Sequence, residues 1–184
     1  EDGQVQQLLD GLAVPYTGSG TVASALGMNK PKAKEIFKQA GLKVPNGVVI
    51  KKNNQTEIEA IAYDIFLKIP PPWIIKPVDS GSSELIQAIA SCFKFSDSIL
   101  VEEYIRGKEA TCGVVDDLRG QDYYPLLPIE IVPPAEKKLF DYEAKYTGIT
   151  SELCPGRFGQ EEKTELERLS VKIHKALGLR HYSR

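Results

Sequence analysis

Cysteine, histidine and methionine are scarce in this chain, and each scarcity narrows what it can be. Its three cysteines, Cys92, Cys112 and Cys154, are scattered and odd in number. They form no disulfide framework, and no pair has metal-ligand spacing. A reducing cytoplasm is the simplest setting for them. The two histidines, His174 and His181, have no metal-like partner in the sequence. No apolar run approaches the roughly 18 residues of a membrane span, so no membrane partner is expected. Neither sign of charge dominates, and a net charge of −2 gives no reason to expect a nucleic-acid partner. The one methionine is Met28, so the chain does not start at a native initiator. Glu1-Asp2-Gly3 opens neither a signal peptide nor a targeting segment, and the chain reads as a piece of something longer.

What is present is an ordinary globular composition, 42% apolar and 26% charged over 184 residues, enough for one domain or two small ones. Apolar periodicity predicts helices over 4–13, a short segment capped by Thr21, and 29–40 with Asn29 as cap and Pro31 in the first turn. Residues 44–50 read as a strand. Thr56 and Glu59 form a capping box for a helix that Pro70-Pro71-Pro72 stops. Trp73-Ile74-Ile75-Lys76 is a buried strand delivering Lys76 at its end. A helix over 83–93 follows, then strands over 98–105, 109–115 and 126–132, with a turn at 116–120. A last helix spans 161–177, and Tyr182-Ser183-Arg184 opens a further strand. The order predicts α+β, with helices packed on one face of a mostly antiparallel sheet.

Two irregular segments hold the densest chemistry, Lys76-Pro77-Val78-Asp79-Ser80-Gly81-Ser82-Ser83 and Phe140-Asp141-Tyr142-Glu143-Ala144-Lys145-Tyr146. Lysine is a point charge suited to phosphate. Backbone N–H groups of a Gly/Ser loop cradle anions. Two such lysines, far apart in sequence, suit a nucleotide held between two layers.

Several further segments match in order and spacing. They include Pro15-Tyr16-Thr17-Gly18-Ser19-Gly20, Met28-Asn29-Lys30, Gly41-Leu42-Lys43-Val44-Pro45, Val101-Glu102-Glu103-Tyr104-Ile105 with Gly107 and Glu109, Cys154-Pro155 and Leu177-Gly178. Together with Lys76-Pro77 and Gly81-Ser82-Ser83 they resemble the D-alanine–D-alanine ligases of the ATP-grasp fold, nearly end to end. The resemblance implies an incomplete ATP-grasp fold. Residues 1–29 would end an N-terminal domain, 30–105 form the small subdomain, and 106–184 begin a truncated C-terminal subdomain. It implies an ATP-dependent ligation of two D-alanines through an acyl phosphate, for peptidoglycan precursors. Such chemistry is mostly positioning and charge neutralisation. The implied ligands are ATP, Mg²⁺ and D-alanine, in a homodimeric parent protein.

The resemblance also assigns roles. Lys30, Lys76 and Lys145 would contact the nucleotide phosphates. Glu102 and Glu103 would offer backbone groups to the adenine edge while Ile105 packs on the ring, and Glu109 would take the ribose hydroxyls. Ser82 would help hold substrate in a hydrogen-bonded set with Tyr146, which closes a loop. Arg184 would steady the oxyanion and phosphate of the transition state. The residues alone leave plainer readings open. Lys30 reads as a solvated lysine at a helix start, Lys76 as a lysine at a strand end, and Ser82 as a helix cap. Glu102 and Glu103 read as solvated on an exposed strand, and Asp116 with Asp117 as a solvated turn.

Three departures from the family pattern stand out. The family has an N-terminal domain before Glu1. Its metal ligands lie beyond Arg184, so none is assigned here. About ten residues, more than a strand's length, are missing after Ser83. The chain alone is therefore expected not to catalyse ligation. The alternatives are another ATP-grasp carboxylate–amine ligase, or a noncatalytic nucleotide-binding remnant.

Overall fold

A computed structural model describes residues 2–53, 57–78, 89, 92–94, 96–132 and 151–184. In chain order the described elements are α1 (Gln4–Gly11), α2 (Thr21–Met28), α3 (Lys30–Gln39), β1 (Gly47–Lys51), α4 (Ile58–Lys68), β2 (Trp73–Pro77), β3 (Ser98–Glu103), β4 (Glu109–Thr111), β5 (Val114–Leu118), β6 (Gln121–Pro125), β7 (Ile129–Val132), β8 (Ser151–Leu153), α5 (Gln160–Ala176) and β9 (Tyr182–Ser183). They fall into two compact units. One comprises Glu1–Lys43, Lys108–Pro133 and Thr150–Arg184, the other Val44–Gly107 and Pro134–Ile149. Every described strand pair is antiparallel, as the α+β reading expects.

In the Val44–Gly107 unit, β3 lies between β1 and β2. Its alternation decides what each face does. Ile99 and Val101 point to one side, where they meet Ile75 of β2, Ile61 and Ile65 of α4, and Ile89, Cys92 and Phe93 in one buried cluster. Val48 and Ile50 of β1 pack against the same cluster. The apolar spacing that predicted α4 is this buried stripe, while Phe66 is more than half exposed and meets Trp73 edge-on. The capping box does not open α4. Glu57 occupies the N-cap without a side-chain bond, and Thr56 lies outside the described residues.

The other unit carries two three-stranded sheets, ordered β4-β7-β8 and β6-β5-β9. The sequence predicted single strands over 109–115 and 126–132. The first is instead broken where the chain passes from one sheet to the other, and the second is shortened to β7, preceded by β6, a strand the sequence reading did not include. Cys112-Gly113 separates β4 from β5, and Leu126-Leu127-Pro128 separates β6 from β7. The two breaks face each other, since the Leu126 N–H donates to the Gly113 carbonyl at 2.8 Å. A Cβ on Gly113 would stand 3.0 Å from the end of the exposed Leu126 side chain, so the passage is close there. The expected turn at 116–120 is also shorter. β5 runs through Asp116 to Leu118, and the turn is Arg119-Gly120, both at positive φ (54° and 76°). That is the two-residue hairpin geometry matched to strand twist.

Among the helices, Asn29 caps α3 as expected, its Oδ1 accepting from the Lys32 N–H at 3.1 Å. Thr21 does not cap α2. Gly20 holds that position, and the Thr21 hydroxyl donates to Asp10 Oδ2 at 2.9 Å. The α1 stripe is not buried, as Val5, Leu8 and Leu12 are each about 60% exposed. Gly41 and Gly178 end α3 and α5 in the left-handed conformation, φ 69° and 64°. Among the described residues no helix is long and apolar enough to cross a membrane.

Candidate functional site

On the face of the β1-β3-β2 sheet opposite the buried cluster, alternation places Ile74 and Lys76 of β2 beside Leu100 and Glu102 of β3. Lys76 pairs in register with Leu100, and Ile74 with Glu102, so Lys76 and Glu102 are diagonal neighbours. Lys76 Nζ stands 3.2 Å from Glu102 Oε2. The carboxylate is almost enclosed, its side chain 7% exposed, while that of the lysine is 36% exposed. A buried carboxylate is costly without a partner. Glu102 therefore holds the ammonium at the strand end with part of it open to solvent. The solvated reading of Glu102 is thus overturned, and Glu103 is only half-buried.

The chain leaving β3 is pinned from both sides. The Glu103 N–H donates to the Asn46 carbonyl at 3.0 Å, and Glu103 Oε1 accepts from the Asn46 N–H at 2.7 Å. The Tyr104 N–H donates to the Pro72 carbonyl at 2.9 Å. Those two donors are committed to the fold, and the N–H of Ile105 is the first beyond them. The Ile105 side chain is 62% exposed, as an apolar surface for a planar ring requires. Glu102, Glu103 and Ile105 thus follow one another at the pinned end of β3, and the Lys76 ammonium reaches Glu102 from the neighbouring strand.

The other unit holds Lys30, Glu109 and Arg184. Lys30 is the first residue of α3, beside the Asn29 cap. Glu109 opens β4 on the surface, and Arg184 follows β9, also exposed. Ser82, Lys145 and Tyr146 lie outside the described residues, as does the junction after Ser83. Among the described residues no group of three or more His, Cys, Asp or Glu side chains is placed to hold a metal ion.

Two arrangements escaped the sequence reading. Glu130 alternates with Ile129 and Ile131, a pattern that puts a carboxylate in solvent, yet it is 5% exposed. Arg157 encloses it through its backbone N–H, Nε and Nη2, each at 2.9 Å. The side-chain bonds from Arg157 outweigh the burial and lower the Glu130 pKa to about 2. Lys108 adds to this from nearby and donates to the Arg157 carbonyl at 2.6 Å. The second is Asp116, read as solvated but only 18% exposed in its side chain, which stands between His174 and His181. Neither has a local sequence signal, because each joins residues from distant elements. Cys92 and Cys112 are buried, which pushes both thiols up, and Cys154 is exposed.

The family described as "D-ala D-ala ligase C-terminus" matches residues 36–184. The D-alanine–D-alanine ligase of Halalkalibacterium halodurans is 37% identical over all of this chain and 61% of its own length. That of Geobacter sulfurreducens is also 37% identical, over all of this chain and 57% of its length. The chain thus spans about 60% of the curated relatives it matches. The first alignment runs over 195 positions against 184 residues here, so that relative carries residues without a counterpart in this chain. Among solved structures, the VanG D-Ala:D-Ser ligase from Enterococcus faecalis superposes with a TM-score of 0.81 at 32% identity, over all of this chain and 54% of that one. The D-alanine–D-alanine ligase from Bacillus anthracis complexed with ATP gives 0.75 at 26% identity, over 99% of this chain and 57% of that one. The ATP-grasp fold expected from the sequence is therefore present, and the chain belongs to the D-alanine–D-alanine ligase family, matching the C-terminal part of its members.

Proposed function

We propose that this chain is the nucleotide-holding part of a cytoplasmic ligase that uses ATP to join two D-alanines for peptidoglycan precursors. The observation that carries the reading is the Lys76–Glu102 pair at the pinned end of β3. Lys76 meets the phosphates as a partly exposed charge whose position Glu102 fixes. Ile105 and the backbone beside it take the adenine. Adenine contact through backbone groups needs no particular side chain at 103 and 104, which leaves those positions free to hold the strand end to Asn46 and Pro72.

The remaining assignments are proposals of the same kind. Lys30 and Lys145 act on the phosphates, Glu109 on the ribose, Ser82 and Tyr146 on substrate, and Arg184 on the transition-state charge. Residues 1–29, 30–105 and 106–184 serve as the end of an N-terminal domain, the small subdomain and the start of the C-terminal one. The residues lacking a counterpart are placed after Ser83, and the whole ligase is a homodimer. A second reading, a ligase taking another amino acid as amine, is favoured by the likeness to a D-Ala:D-Ser ligase.

Thermal unfolding with a panel of ADP, GDP and inorganic phosphate tests the proposal. Selective binding to the folded chain raises its midpoint in proportion to ln(1 + [L]/Kd). ADP should raise it more than GDP at equal concentration, and phosphate least. Equal shifts with ADP and GDP would contradict the adenine assignment, and no shift with any would contradict the nucleotide site.

A further inference from the structure

β9 is only two residues long, pairing Tyr182 with Val115 and Ser183 with Val114. So short a strand has little stability from its ladder alone. Each residue around it carries a separate tether. Arg180 Nε donates to the Gly18 carbonyl at 2.8 Å, its N–H donates to Ser19 Oγ at 3.3 Å, and its guanidinium lies 5.0 Å from the centre of the Tyr16 ring. The His181 N–H donates to Asp116 Oδ2, and its carbonyl accepts from the Asp116 N–H at 2.8 Å. Ser183 Oγ lies 2.8 Å from His174 Nδ1. His174 is fully buried, and its Nε2 is 2.9 Å from Asp116 Oδ1, though neither atom has a hydrogen-bond partner in line with it. Serine, histidine and aspartate here do not make a hydrolytic set, because the imidazole is closed off from any substrate.

His181 has φ 66°, a backbone conformation that side chains other than glycine rarely adopt. Such a conformation persists where its surroundings over-determine it. Its Nδ1 accepts the Gly18 N–H at 2.8 Å. A ring nitrogen accepts only while it is unprotonated, so this bond assigns the proton of the neutral ring to Nε2. A second proton would land on Nδ1 and face the Gly18 N–H, donor against donor.

We propose that Asp116, His174 and His181 are positioning residues that clamp the strand leading to Arg184, and that this clamp is latched to the Gly18-Ser19 turn only while His181 is neutral. The charged and titratable groups around it are Asp116 from β5, Arg180 beside it, Tyr182 with its hydroxyl next to Gly18, Tyr16 with its partner Asp10, and His174 with Lys175 from α5. Lys175 Nζ is drawn over the Tyr123 ring at 4.2 Å, and the Tyr16 hydroxyl donates to Asp10 at 3.0 Å. Protonation of the His181 ring therefore opens the latch. The consequence for Arg184 rests on the role proposed above, whereas the latch does not.

The test is an NMR titration of the 184-residue chain from about pH 8 to about pH 5, the range in which histidine charges. It follows the His181 ring together with the exchange protection of two amides. Gly18 reports the latch, and Asp116, which donates to the His181 carbonyl, reports the clamp. The expected result is that protection of both falls by about tenfold, as local opening grows, in step with protonation of the His181 ring. In His181→Asn, which tolerates positive φ and has no titrating ring, both amides should lose that pH dependence. A Gly18 amide indifferent to His181 titration would overturn the proposal. So would the same response in His181→Asn, or an Asp116 amide that does not follow. No nucleotide enters the measurement, so its outcome is independent of whether ADP binds.

Discussion

A single buried carboxylate sets the chemistry at the strand end. Glu102 is enclosed and Lys76 is its charged neighbour, so Lys76→Met should cost about 1–3 kcal/mol by removing a charged partner from a desolvated carboxylate. Glu102→Gln alone should cost less, and the double variant should recover much of the loss seen in Lys76→Met. Urea unfolding of the four proteins measures the coupling, and strict additivity would mean the pair does not interact. Glu130 makes a different prediction. Its carboxylate titrates from about 4.5 in the unfolded chain to about 2 in the folded one. A lowered folded pKa contributes stability above the ordinary carboxylate range and loses it as pH falls toward the folded value. Arg157→Ala removes the main cause of the lowering. Acid unfolding followed by circular dichroism should then begin at higher pH than in the unmodified chain. Coincident acid transitions would show that the pair does not stabilise the fold.

Elements in this chain are set by caps, breaks and close approaches more than by propensity. Asn29→Ala should cost about 1 kcal/mol, because the Lys32 N–H loses its acceptor, while Asn29→Asp should cost little. Gly156 tests close approach. A Cβ there would overlap the Phe158 ring and come within 2.8 Å of the Glu130 backbone nitrogen. Gly156→Ala should lower the thermal midpoint measurably, and an unchanged midpoint would mean that the loop shifts freely. α3, α4, β2 and α5 were legible because their apolar spacing and stop residues act locally. The passages at Cys112-Gly113 and Leu126-Leu127-Pro128 were not, since apolar runs continue through them and only the pairing of distant strands divides each run. The turn expected over 116–120 was drawn too long, because Asp116 and Asp117 carry a turn composition but sit in β5. The same holds at the site. Lys76 was legible from its place at a strand end, whereas the burial of Glu102 depends on the alternation of a central strand and on its neighbour in β2. The clamp around Asp116 depends on contacts with the far end of the chain.

At the scale of the whole molecule, the chain matches the C-terminal part of a ligase family and spans about 60% of its curated relatives. We propose above that Lys76, held by Glu102, serves a nucleotide phosphate. Calorimetric titration of the chain with ADP, beside Lys76→Ala and the Glu103→Gln variant, tests it most directly. Glu103→Gln keeps an acceptor for the Asn46 N–H and leaves the phosphate charge alone, so it controls for the strand end. Saturable ADP binding to the unmodified chain is expected, with little change in Glu103→Gln and a loss of at least about tenfold in Lys76→Ala, the equivalent of roughly 1.4 kcal/mol. Equal affinity for ADP in the unmodified chain and in Lys76→Ala, with both folded, would contradict it.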